Sequence, residues 1–234
     1  MIVSLNEVQA TAQKAASGCG QPFGLAEEMG YATRWLCERG LRGTEKLLHA
    51  LEQSLVPILR VAESNDAITL SSDGEVASVV SLGPSLADYV LLAKTQNKKV
   101  LIPAISHPLL LLPFVAQAGL RPGTLSVGWK TIDDESVAIV VANGDMTVFA
   151  RDALSLIQAR AFDVRCEWKQ QETNLPTLYT AKQLAENKAE RVEHGCTVPG
   201  PVWEKISAHA HNTYVPISDA SRLSGAGAGL TDND

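Results

Sequence analysis

The chain has 234 residues, enough for a globule that buries roughly 70–75% of its unfolded surface without disulfide or metal staples. Hydrophobic residues make up 45% and charged residues 20%, with 17 Gly and 11 Pro, which excludes disordered, collagen-like and disulfide-scaffold classes. Lys and Arg number 20 against 26 Asp and Glu, a net charge of −6, and aromatics are only 5%, so neither the basic stripe nor the stacking platform of a nucleic-acid binder is present.

Met1 to Glu7 has no basic region ahead of an apolar run, so a secretory signal is not expected and a cytoplasmic location is. Ser4 with Glu7 reads as a capping box, and Val8, Ala12 and Ala15 follow at helical spacing up to Gly18. A second helix is predicted from Pro22 through Leu25, Met29, Ala32 and Leu36 to Gly40. A third carries Leu47, Leu48, Leu51 and Leu55 until Pro57 breaks it. Next come a helix from Pro84 to Lys94, a short buried strand over 99–104, and a helix with Pro108 at its first position that stops at Gly119. Prolines at 103, 108 and 113, with His107 and Gln117, make 100–118 a poor membrane span. Strands are predicted at 125–129, 137–142 and 146–149, the last two joined by the hairpin signal Asn143-Gly144-Asp145. A helix through Ala153 and Ile157, a strand through Val164 and Trp168, a polar linker over 169–177, a charged helix over 182–193 and a helix from Pro201 complete the pattern. The alternation of periods points to an α/β fold, a three-layer mixed sheet flanked by helices with an N-terminal helical segment. One domain is expected, with 1–62 helical, 63–172 the α/β core, and 173–234 the C-terminal helices and glycine-rich tail.

The motif search is mostly negative. There is no GxGxxG after a strand, GxxxxGK[ST], HExxH or GxSxG, so the common nucleotide, zinc-protease and serine-hydrolase chemistries lack their residues. Cys19, Cys37, Cys166 and Cys196 form no CxxC pair and are expected as free thiols. His194 and Cys196 alone do not complete a metal site, and His209 and His211 point to different sides of their helix. No metal is expected. Two places remain. His107 follows Ser106 at the carboxyl end of a strand and the start of a helix, where α/β proteins gather ligands and a helix N-terminus favours an anion. The second is the tail, where glycine at 225, 227 and 229 permits close backbone approach before Leu230, Asp232 and Asp234.

Two resemblances follow from these residues. The ending Thr213-Tyr214-Val215-Pro216, Ala220-Ser221-Arg222-Leu223 and Gly225 through Asp234, with Val3 to Glu7, Gly24 to Glu28 and His107 to Phe114, resembles a bacterial family built on a domain of unknown function. In addition, Glu7 to Ala50, including Gly40-Leu41-Arg42-Gly43, and Ala87 to Gly119 resemble the malate/L-lactate dehydrogenases that lack the Rossmann fold. That second resemblance implies a three-layer core with a mixed sheet, a homodimer, and a site near the subunit interface. The chain departs from it where the family carries Ser-His-Gly with its catalytic histidine, for Lys46-Leu47-Leu48 stand there instead. It departs again after His107, where Pro108 and Leu109 replace an aromatic residue and a glycine.

The expectation is therefore a binder of a small anionic metabolite, with no cofactor, no nucleic acid and no membrane. His107 is the candidate catalytic residue, and Arg42, Ser106, Tyr214, Ser221, Arg222, Asp232 and Asp234 are the candidate ligand-binding residues. Two alternatives stand beside it. One is a divergent enzyme with His107 as general acid or base. The other is a non-catalytic assembly or regulatory subunit docking through its tail.

Overall fold

The computed structural model describes residues 1–53 and 59–214. Its elements in chain order are β1 (Ile2–Val3), α1 (Leu5–Gly18), α2 (Phe23–Glu38), α3 (Gly43–Glu52), β2 (Leu59–Glu63), β3 (Ala67–Ser72), α4 (Val79–Thr95) and β4 (Lys99–Ser106). A single 3-10 turn (Pro108–Leu111) then leads into α5 (Leu112–Ala118), β5 (Thr124–Thr131), β6 (Ser136–Ala142), β7 (Asp145–Ala150), α6 (Ala153–Leu156) and β8 (Arg160–Glu167). The described chain ends with β9 (Thr177–Tyr179), α7 (Ala181–His194), β10 (Cys196–Thr197) and α8 (Gly200–His211).

An eight-stranded mixed sheet in the order β2-β3-β4-β8-β5-β6-β7-β9 forms the base. Only β3 and β4 run parallel, joined by the crossover helix α4, while the remaining neighbours are antiparallel. Along β6 the side chains alternate between buried (Val137, Ile139, Val141) and half-buried (Ala138, Val140), so one face of the sheet carries the core. On that face lie α4, the 3-10 turn and α5, and on these pack α2 and α3. The outermost helices, α1 and α8, cover α2 and α3. The layers thus stack as sheet, inner helices and outer helices around one apolar cluster that draws residues from Ala12 to Ala210. β1 and β10 pair separately and tie the start of the chain to the segment before α8.

Local chemistry explains most boundaries. The Ser4 hydroxyl accepts from Glu7 N at 3.2 Å to open α1, and Thr180 with Gln183 forms a full capping box at α7. Asn143 and Gly144, at φ 53° and 89°, make the tight β6–β7 hairpin. Two predicted features differ. α4 starts at Val79 rather than at Pro84, because Ser78 caps it by accepting from Val80 N at 3.3 Å, and Pro84 is carried inside the helix. The polar stretch after β8 lies against the sheet rather than running free of it: the Ser126 hydroxyl donates to Lys169 O at 2.7 Å and accepts from Gln171 N at 3.1 Å, before β9 joins the sheet edge. The predicted Leu55 and Pro57 positions lie outside the described residues.

A basic candidate site at His107

β4 ends at Ser106, and His107 turns the chain away with φ 46° and ψ 58°, the left-handed region. Only 1% of the residue is exposed. Its backbone N–H donates to Ala159 O at 2.8 Å, its carbonyl accepts from Leu110 N at 3.0 Å, and its ring Nε2 lies 3.1 Å from Gln53 Oε1. A carbonyl oxygen accepts only, so Nε2 carries the proton and Nδ1 is an acceptor. That Nδ1 is buried and has no hydrogen-bond partner among the described residues.

Arg42 at the start of α3, Lys46, His49 and Gln53 at its end are spaced by four, three and four residues, which places them on one helical face, and Lys46, His49 and Gln53 of this stripe lie against His107. The His49 and His107 rings stand 5.9 Å apart at 41°. Lys46 is buried, and its Nζ donates to Ile157 O, two residues before the carbonyl that holds the backbone of His107. The short segment after α6 therefore grips both residues. α6 itself is fixed by the Asp152 carboxylate, which accepts from Ser155 N at 2.9 Å.

The electrostatics are one-sided. Burial, then Lys46, then His49 push the His107 imidazole down to about 4, so it is neutral near neutral pH. Burial and then the Arg42 guanidinium hold the Lys46 ammonium below its ordinary range, with Glu45 opposing them. Lys46 and His49 stand beside a neutral imidazole whose Nδ1 has no partner among the described residues, and Arg42 neighbours Lys46 on the same helix, an arrangement suited to a small anion that also offers a hydroxyl or a water.

The other predicted residues fall elsewhere. Ser106 Oγ accepts from Val79 N at 3.4 Å and so joins the end of β4 to the start of α4. Tyr214 is exposed and its hydroxyl accepts from Lys14 Nζ at 3.2 Å, with His211 beside its ring, at the outer end of α8. Ser221, Arg222, Asp232 and Asp234 lie outside the described residues. Lys46, His49 and Gln53 escaped the sequence reading, which followed the leucines of α3. Their spacing from Arg42 is the signal that finds them. Among the described residues no group of His, Cys, Asp and Glu suits a metal ion, and no helix is long and apolar enough to cross a membrane.

Residues 3–81 match a family described as a protein of unknown function, DUF3726. No curated protein sequence matches. Among solved structures, a dehydrogenase from Sinorhizobium meliloti is similar with a TM-score of 0.62 at 10% identity, over 90% of this chain and 99% of the other. Malate dehydrogenase from Pyrococcus horikoshii OT3 gives 0.63 at 10% identity over 90% and 94%. Sulfolactate dehydrogenase from Methanocaldococcus jannaschii gives 0.62 at 8% over 90% and 97%. The fold is similar to that of malate and sulfolactate dehydrogenases. At these identities the likeness is one of architecture.

Proposed function

We propose that this chain binds a small carboxylate-bearing metabolite between the basic face of α3 and His107. The observation that carries the reading is the placement of Lys46 and His49 against His107, with Arg42 beside Lys46, and a buried His107 Nδ1 that has no partner among the described residues. The Lys46 ammonium and the Arg42 guanidinium supply charge-assisted hydrogen bonds to a carboxylate, and Nδ1 accepts from a hydroxyl or a bound water. The names of the structural neighbours, malate and sulfolactate dehydrogenases, suggest the ligand class: short hydroxy acids with a second anionic group.

A nicotinamide cofactor fits these residues poorly. Where the resembling family carries its proton-transfer histidine this chain has Leu47, fully buried in the core, and the positions after His107 are filled by the buried Pro108 and Leu109. The reading therefore carries no hydride-transfer step. General acid–base work by His107 is disfavoured as well, since a group titrating at about 4 is a weak base at neutral pH. A homodimer remains part of the proposal, on the resemblance and on the half-buried outer face of the sheet, where Ala138 and Val140 sit.

A thermal-shift panel of small mono- and dicarboxylates tests the reading. A ligand that binds the native state raises the melting temperature by mass action. The expected result is a rise with a short hydroxy- or oxo-dicarboxylate that is lost in Lys46→Met. A panel without any shift, or shifts retained in that variant, rejects the site.

A further inference from the structure

Two of the four cysteines, far apart in sequence, meet in space. Cys37 occupies the last turn of α2, and Cys196 lies in β10, where pairing with β1 sets it opposite Val3. Both are buried with Val3, Leu5, Val8 and Trp203 in a small apolar cluster distinct from the main core. The two side chains are neighbours in this cluster and line one cavity together. Neither is bridged to another residue.

Burial alone would make such a pair inert, but a cavity of 110 Å³ is lined by both cysteines together with Arg42, Thr44, Glu45 and Arg191. The Arg191 guanidinium is held against Gly40, where an added Cβ would lie 2.9 Å from its nitrogen. Two arginines and two cysteines thus line one pocket, a setting that favours a thiolate. The neighbouring Cys37 thiol and the Arg191 charge favour the Cys196 thiolate in spite of its burial. Arg191 is also tied to Cys196 through the chain, its carbonyl accepting from Gly195 N at 2.9 Å, so its charge falls on that sulfur of the pair.

We propose that Cys37 and Cys196 form a peroxide-reactive dithiol in which Cys196 attacks, Cys37 resolves, and a disulfide joins α2 to β10. The cavity offers room for a small oxidant. A water molecule occupies about 30 Å³ of liquid, so a pocket of 110 Å³ has room for hydrogen peroxide. The Cys196 thiolate attacks one peroxide oxygen, the O–O bond breaks, and the departing hydroxide takes a proton to leave as water. Cys196 is then a sulfenic acid. The Cys37 sulfur, losing its proton, attacks the Cys196 sulfur; the S–O bond breaks, the S–S bond forms, and the oxygen leaves with that proton and its own as a second water. Two thiols and one peroxide give one disulfide and two waters.

The remaining cysteines provide internal controls. Cys19 is more exposed, but burial and Glu52 push its thiol up, and burial pushes Cys166 up to about 12. The full chain is treated with stoichiometric hydrogen peroxide, alkylated and mapped by mass spectrometry. The expected product joins the Cys37 and Cys196 peptides with the loss of two hydrogens, while Cys19 and Cys166 stay alkylatable. In Cys37→Ser, dimedone should capture a sulfenic acid at Cys196. Oxidation of Cys19 ahead of Cys196, or separate oxidation of Cys37 and Cys196 without a cross-link, overturns the proposal. The wild-type map decides this without any variant, so a folding defect in Cys37→Ser leaves the test intact.

Discussion

His107 concentrates three local costs: a left-handed backbone, near-complete burial and an imidazole beside the Lys46 ammonium. The last of these makes a prediction with a definite sign. The unfolded imidazole titrates near 6.5 and the folded one at about 4, so between these values the unfolded chain binds more protons. Stability is full above the upper value and falls as pH drops through the window. Allowing for residual solvent screening, the loss from this residue is on the order of 1–3 kcal/mol. Asn tolerates the left-handed region better than most residues, so His107→Asn should fold and show a flatter dependence of its urea midpoint between pH 7 and 4. An unchanged slope would mean that other groups dominate the window.

At the level of elements, α3 is positioned by how closely it meets α2. A Cβ on Gly43 would lie 2.6 Å from the Thr33 carbonyl oxygen and 3.0 Å from Leu36 Cβ, and backbone cannot swing aside. Gly43→Ala should therefore cost about 1–3 kcal/mol by overpacking, and weaken carboxylate binding by displacing the face that bears Arg42 and Lys46. Denaturant melts with ligand titration check both, and a neutral variant would show that the helices have slack. The helices were readable because apolar periodicity and end signals agree along α1, α2 and α7. β2 was not, since its burial shows no alternation and Val61 is 45% exposed on an edge strand. α4 was read one turn late because Pro84 imitates a first helical position while Ser78 does the capping. The site was half visible. His107 stood out at the end of β4, whereas Lys46 lay beside the buried leucines of α3 and only the fold shows that α3 faces His107.

For the whole molecule, the parallel β3–α4–β4 unit and the antiparallel strands beyond it bring the end of β4, the basic face of α3 and the turn after α6 to one place. The resemblance that led to a dehydrogenase-like scaffold also implies a homodimer, and light scattering after size exclusion should give twice the chain mass. A monomer at micromolar concentration would remove the subunit interface from the account. The central claim is that Arg42, Lys46, His49 and His107 act as one anion site. Its most direct test is the pH titration of the His107 ring nitrogens by NMR, with and without a saturating small dicarboxylate. An anion held beside Lys46 stabilises the protonated ring, so the midpoint should rise from about 4 toward its ordinary value on binding. A His107 titration unmoved by a carboxylate that raises the melting temperature would place the bound anion elsewhere and contradict the account.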